Sequence, residues 1–351
     1  MVSTRQWVLA KKPTHLPIFD GPDVTFKLVD QHLPELQDGQ VLVKVTHLSN
    51  DPAQRGWISP DIKPERLYIA PVEVNQVMAS GGLAEVVESK SRSFKKGDAV
   101  TGFVGWNDLA ILSDKAVQPA FPILGGKKPQ TLHLGAFGLT GLTAYVGLLD
   151  VGQVTKDDVL VISGAAGATG SMAVQIAKKI VGVKRVVGIA GTDAKCRWVE
   201  SLGADVCLNY KSSSFADDLI AATPDYATAY FDNVGGEILD LMITRLGRGG
   251  RIIACGAIAD YNSVRSKTSG VKNWFEIIAM RLSVHGFVVL DFLAKAPEAT
   301  KVLLRALEEG KLIVDGGEQV VEAKFEDVPK TWVTLFQGTT LWNGTVGVMK
   351  P

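Results

Sequence analysis

The chain is poor in cysteine, carries no excess charge of either sign and has no long apolar run. Its three cysteines, Cys196, Cys207 and Cys255 in 351 residues, are too few and too scattered for a disulfide framework or a four-cysteine structural zinc site. They read as reduced thiols of an intracellular protein. Lysine plus arginine equals aspartate plus glutamate at 37 each, so there is no basic field for nucleic acid. No apolar stretch reaches membrane-spanning length, and the opening Met1-Val-Ser-Thr-Arg-Gln-Trp7 lacks the apolar core of a secretion signal. A cytoplasmic location without a membrane partner is expected. The five histidines form no nucleophile-and-base pattern, and no His-Glu pair offers a catalytic zinc set.

What the chain has is a substantial core, with 46% hydrophobic residues, and one stretch around which the rest is arranged. Val159-Leu-Val-Ile-Ser-Gly-Ala-Ala-Gly-Ala-Thr-Gly170 is an apolar strand running into glycines at 164, 167 and 170. A helical period follows, with Met172, Ala173, Ile176, Ala177 and Ile180 on one face. Strand, glycine turn and helix start make a phosphate cradle, because glycines allow backbone approach and the helix N-terminus favours negative charge. Arg185–Gly191 reads as the next strand and ends without the acidic residue that would hold a ribose 2′-hydroxyl. Thr192, Asp193 and Lys195 follow, with Arg197 close by. This pattern favours a 2′-phosphate, hence NADP. Asp193 dissents, though it could cap the helix after it.

Strands are expected at 159–163, 185–190, 206–209, 229–232, 250–255 and 283–288, and helices near 194–202, 214–221, 236–246 and 297–309. This alternation predicts a parallel sheet covered on both faces. Residues 1 to about 125 read instead as short strands punctuated by glycine and proline, with a long loop from Ser59 to Gln76. The last 40 residues return to strand and turn patterns, apart from a short helix around 328–337. The expected architecture is α/β: a doubly wound Rossmann sheet, 126–311, inserted into a split β-rich domain, 1–125 and 312–351.

The chain resembles the zinc-independent medium-chain dehydrogenase/reductases over nearly its whole length. Within them it is most similar to the leukotriene B4 12-hydroxydehydrogenase, prostaglandin reductase and alkenal double-bond reductase family. The residues that carry this are Arg5-Gln-Trp-Val-Leu-Ala, Leu48-Ser-Asn-Asp-Pro, Gly105-Trp106, Gly141-Leu-Thr-Ala-Tyr145 and Ser163-Gly-Ala-Ala-Gly. Further along come Gly203-Ala-Asp, Asn209-Tyr-Lys211, Phe231-Asp-Asn-Val-Gly-Gly236, Gly256-Ala-Ile-Ala-Asp-Tyr-Asn262 and Gly286-Phe-Val-Val289.

The resemblance implies a GroES-like catalytic domain and NADP held by Asn50, Gly164, Gly167, Ala168, Thr169, Gly170, Gly191, Thr192, Lys195, Tyr210, Asn233, Cys255, Tyr261, Phe287, Val288 and Asn343. Lys195 and Tyr210 would meet the 2′-phosphate, and Phe287 and Val288 would run beside the nicotinamide. No metal is expected, since Ser49 and Asn50 stand about where a first zinc cysteine would be. The implied reaction is reduction of the C=C bond of an α,β-unsaturated ketone or aldehyde. Hydride goes to the β-carbon, and Tyr261 with the ribose hydroxyl stabilises the enolate. Trp57, Trp106 and Tyr68 are expected to wall the substrate pocket, with Trp274 a further possible wall. Relatives commonly carry tyrosine where this chain has Ala53 and Leu109, so their lipid substrates do not transfer directly. Alternatives are an NADPH quinone oxidoreductase and a non-catalytic NADPH-binding partner of a biosynthetic complex. A homodimer through the edge strand at 283–289 is also expected.

Overall fold

The computed structural model describes residues 2–264, 268, 270–337 and 347–350. In chain order its first strands are β1 (Ser3–Leu9), β2 (Phe26–His32), β3 (Gln40–Leu48), β4 (Gly81–Ser89), β5 (Ala99–Phe103), β6 (Leu109–Ser113) and β7 (Val117–Pro119). Then come β8 (Val159–Ile162), β9 (Arg185–Ala190), β10 (Val206–Asn209), β11 (Ala227–Asp232), β12 (Leu246–Ala254) and β13 (Ser283–Gly286). The chain closes with β14 (Gln319–Glu322) and β15 (Gly347–Lys350).

Two units emerge. The first comprises residues 1–134, 318–340 and 345–351, the second residues 135–317 and 341–344. In the first, β1 and β2 pair antiparallel, and a seven-stranded sheet runs β14-β15-β3-β4-β5-β7, with β6 also on β3. Strand β3 reads Gln-Val-Leu-Val-Lys-Val-Thr-His-Leu, and its valines 41, 43 and 45 point inward with at most 2% exposure. That alternation turns one sheet face onto the core. The returning strand β15 pairs antiparallel with β3 at Leu48. The last segment of the chain is thus built into the sheet that the first segment begins. Strands β2, β6 and β7 carry little apolar alternation and are not legible as strands in the sequence; their partners select them.

The second unit is a six-stranded parallel sheet in the order β10-β9-β8-β11-β12-β13. This is the doubly wound order in which connections reverse direction between β8 and β11. Helices Ala168–Gln175, Asp193–Leu202, Phe215–Ala222, Gly236–Ile243 and Ala296–Glu308 cover it, because each presents an apolar stripe to a sheet that is apolar on both faces. A further helix, Trp274–Met280, precedes β13 and was not expected from the sequence. Among the described residues no helix is long and apolar enough to cross a membrane.

Candidate active site

Ligands of doubly wound sheets bind beyond the carboxyl ends of the strands where the winding reverses. Here those ends are Ser163-Gly164 after β8 and Asn233-Val234 after β11. Gly164 adopts φ +57°, a left-handed conformation that costs a residue with a Cβ. Gly167 then caps the helix Ala168–Gln175, and no side chain caps it in turn. Among the described residues no side chain takes up the first-turn N–H groups, the arrangement that suits an anion. Gly164, Gly167, Ala168 and Thr169 are partly exposed there. Gly170 is different: it is buried, and a Cβ on it would overlap the Gly164 carbonyl oxygen and lie 2.8 Å from the Ala165 Cα. It serves the close seating of helix on loop.

At the end of β9 the helix Asp193–Leu202 is capped by Thr192, whose Oγ1 accepts from the Lys195 N–H at 3.2 Å. Asp193 is not the cap. Its carboxylate instead accepts from the Asn209 Nδ2 at 2.7 Å, so the acidic residue is occupied by a neighbour. Tyr210 hangs from the same place, its N–H donating to the Ala190 carbonyl at 3.0 Å. A Cβ on Gly191 would lie 3.0 Å from the Tyr210 ring, so any larger residue there would push the ring outward. Lys195 is half-buried, and burial first, then the neighbouring Lys211, holds its ammonium below the ordinary lysine pKa.

The turn after β11 is held by a carboxylate the sequence reading did not single out. Asp232 is 2% exposed, and its Oδ1 accepts from the Ser163 hydroxyl at 2.9 Å, the Tyr230 hydroxyl at 2.8 Å, the Val234 N–H at 2.9 Å and the Gly235 N–H at 3.0 Å. Burial, then the charge of Asp232, raises the Tyr230 hydroxyl well above its usual pKa. Asn233 is fixed by the same group of residues: its N–H donates to the Ser163 Oγ at 3.0 Å and its Nδ2 to the Ser163 carbonyl at 2.7 Å. The carboxylate followed by Asn-Val-Gly-Gly at a strand end was the available signal.

Next to this turn, the Cys255 N–H donates to the Asp232 carbonyl at 2.9 Å. Burial, then Asp232, pushes the Cys255 thiol up to about 12, which leaves it inert as a nucleophile. The loop 256–261 is stitched to the turn, with the Ala259 N–H donating to the Val234 carbonyl at 3.1 Å. The Tyr261 hydroxyl oxygen accepts from the Ala257 N–H at 3.3 Å. Beyond β13, Phe287 sends its ring inward against Phe231 and Phe292, at centroid distances of 6.5 and 6.3 Å. A Cβ on Gly147 would sit 2.7 Å from both Phe231 and Phe287. Phe287 and Val288 are half-buried. Asn343 lies outside the described residues.

In the first unit, Asn50 is 2% exposed and its Oδ1 has no hydrogen-bond partner among the described residues. A buried acceptor left unmade is costly, so the atom is suited to a ligand's donor. The loop around it is tied to its surroundings by hydrogen bonds. The Ser80 hydroxyl donates to the Ser49 carbonyl at 2.9 Å, the Trp332 Nε1 to the Asp51 carbonyl at 3.1 Å, and Gln54 joins the Asp51 N–H to the Ala79 carbonyl. Of the expected pocket walls, Trp106 needs correction. It is fully enclosed, its ring 5.0 Å from Phe26 and 5.8 Å from Trp332, and a side chain without exposed surface lines core. Trp57 is 6% exposed and donates from Nε1 to the Tyr68 hydroxyl at 3.2 Å. Tyr68 itself is 49% exposed. Trp274 is 61% exposed, at the start of its surface helix.

The chain matches two family models: one described as the N-terminal domain of oxidoreductase over residues 5–120, the other as zinc-binding dehydrogenase over residues 168–309. It is 35% identical to prostaglandin reductase 1 of Bos taurus, with 99% of each chain covered. It is 32% identical to the NADP(+)-dependent 2-alkenal reductase of Nicotiana tabacum, covering 99% of this chain and 98% of that one. The crystal structure of CurA from Vibrio vulnificus in complex with NADPH superposes with a TM-score of 0.85 at 33% identity, over 99% of this chain and 98% of that one. The zinc in the second description finds no fit: among the described residues no three His, Cys, Asp or Glu side chains are gathered to hold a metal ion. Cradle, strand order and full-length relatives agree, and the chain belongs to the medium-chain dehydrogenase/reductase oxidoreductases, in the branch that contains the prostaglandin and 2-alkenal reductases.

Proposed function

We propose that the protein is an NADPH-dependent reductase of the C=C bond of α,β-unsaturated ketones and aldehydes. The Nicotiana tabacum relative is an NADP(+)-dependent 2-alkenal reductase and CurA is crystallised with NADPH, and the second unit has the chemistry to hold that cofactor. When bound, NADPH supplies the hydride that adds to the β-carbon. Gly164, Gly167, Ala168 and Thr169 form the diphosphate cradle, and Gly170 seats the helix behind it. Gly191, Thr192, Lys195 and Tyr210 take the adenosine end, while Asn233, Cys255, Phe287 and Val288 border the nicotinamide end. Asn50, whose buried Oδ1 has no partner among the described residues, and Asn343 are the remaining cofactor residues that the family resemblance implies. Trp57 and Tyr68 border the substrate.

The observation that carries the catalytic reading is the Tyr261 hydroxyl, fixed by the Ala257 N–H on a loop fastened to the Asn233 turn. A phenol that accepts a hydrogen bond becomes a stronger donor through its own O–H. Directed at the substrate carbonyl oxygen, that donor gains strength as negative charge develops there, and one such contact contributes ~3 kcal/mol to the transition state. The same hydroxyl can pass a proton toward the α-carbon.

The test is NADPH oxidation with 4-phenyl-3-buten-2-one and 3-nonen-2-one beside a simple quinone. Turnover of the enones with formation of the saturated ketone is expected. Quinone turnover alone refutes the reading, as does tight NADPH binding without turnover on any enone.

Two further features complete the proposal. Strand β13 is the last in its sheet, with Val284 54% exposed, and the helix before it exposes Trp274, Phe275 and Ile278 by 61, 73 and 63%. An open strand edge beside large exposed apolar side chains suits pairing with a second copy. A homodimer is proposed, to be checked by light scattering. A cytoplasmic location fits the three free cysteines.

A further inference from the structure

Beyond the residues assigned above, one cation beside the adenosine end has no role in them. Lys211 is exposed, immediately after Tyr210. Its N–H donates to the Asn209 Oδ1 at 3.1 Å, so the turn that bonds Asp193 also sets the start of Lys211. Its Nζ lies 5.9 Å from the centroid of the Tyr210 ring, and that ring lies against Gly191. Lys195 approaches the same place from the helix Asp193–Leu202, near enough to feel the charge of Lys211. Among the described residues neither lysine makes an ion pair. The nearby acid, Asp193, accepts from the neutral amide of Asn209 and is seen in no ion pair with either lysine among the described residues.

Two like charges held close without an ion-pair partner raise the free energy of the empty site, and a dianion relieves it. A single ammonium matches only half the charge of a phosphate monoester, which approaches −2 at neutral pH. We infer that Lys211 is a specificity-determining residue: with Lys195 it forms a two-cation clamp across Tyr210 for the cofactor's 2′-phosphate, and it makes the protein prefer NADPH to NADH. This rests on the cofactor reading above.

The test measures NADPH and NADH dissociation constants by fluorescence titration for wild type, Lys211→Ala, Lys211→Arg and Lys195→Ala, with 2′,5′-ADP and 5′-AMP as fragment probes. Lys211→Ala should weaken NADPH and 2′,5′-ADP about tenfold, and NADH and 5′-AMP less than about twofold. Lys211→Arg should restore most of the preference. The wild-type preference should shrink at ~0.3 M salt, and shrink less in Lys211→Ala, which has less charge to screen. An unchanged NADPH-to-NADH ratio in Lys211→Ala, while Lys195→Ala collapses it, overturns the role of Lys211 and leaves the cofactor reading standing. Equal weakening of both cofactors by Lys211→Ala also overturns it. A wild-type protein that binds NADH as tightly as NADPH overturns the cofactor reading itself.

Discussion

Replacing Asp232 by asparagine tests how the turn that carries Asn233 is held. In the native protein one oxygen of Asp232 collects two hydroxyl and two backbone N–H donors, all between 2.8 and 3.0 Å, at 2% exposure. Bonds to an ionised acceptor contribute ~1.5–3 kcal/mol each, but four on one oxygen share its lone pairs and do not add. Asparagine can keep its one acceptor oxygen in the place of Oδ1, but it loses the charge that strengthens all four bonds and puts a buried NH2 where the second carboxylate oxygen was. The expected loss in folding free energy is therefore ~2–4 kcal/mol. Tyr230→Phe removes one of the four donors and leaves no polar atom stranded, so it should cost only ~1 kcal/mol. Urea unfolding of both variants without cofactor gives the two numbers, and NADPH titration reports whether the Asn233 turn is still presented. If Asp232→Asn loses less than ~0.5 kcal/mol and binds NADPH as wild type does, the carboxylate does not organise this site.

Three further outcomes are expected. Tyr261→Phe should lower kcat on enones ~100-fold with little change in NADPH affinity, and an undiminished kcat removes its role as oxyanion donor. Gly170→Ala drives a methyl into the Gly164–Ala165 backbone. It should cost ~2–3 kcal/mol and abolish NADPH binding, and a stable, NADPH-binding variant would contradict the cradle. Asp158 is 7% exposed, and burial alone would raise its carboxyl. Hydrogen bonds from Arg251, Thr155 and Thr228 override that and hold it from 3.8 down to about 2. A depressed carboxylate pKa stabilises the fold above its unfolded value, and that stability is lost as pH falls through the folded one. Acid titration should therefore remove on the order of 2 kcal/mol between pH ~4 and ~2. Arg251→Gln should flatten that window, and an unchanged acid limb would refute the pairing.

Features set by neighbours in the sequence are legible in the sequence alone. The expected strands 185–190 and 206–209 coincide with β9 and β10, because apolar, β-branched runs between turn residues state their own conformation. The cradle was legible for the same reason, since strand, glycines and helical period lie within some twenty residues. The helix Trp274–Met280 is not legible although its residues are adjacent, because seven residues that are apolar at every position but Glu276 carry no apolar–polar period.

What only the tertiary structure decided depends on residues far apart in the chain. The strand order places the ends of β8 and β11 side by side, and so joins Ser163 to Asp232 across 69 positions. Nothing local distinguishes the buried Trp106 from the exposed Trp274, because burial is a property of what packs over a side chain. Likewise Asp193 reads in sequence as a helix cap or a cofactor-repelling acid until Asn209 takes its carboxylate. Local pattern specifies conformation at short range, whereas hydrogen-bond partners and charge neighbours are chosen by topology, and in this protein it is topology that brings the glycine cradle, the Asn233 turn and the paired lysines to one end of one sheet.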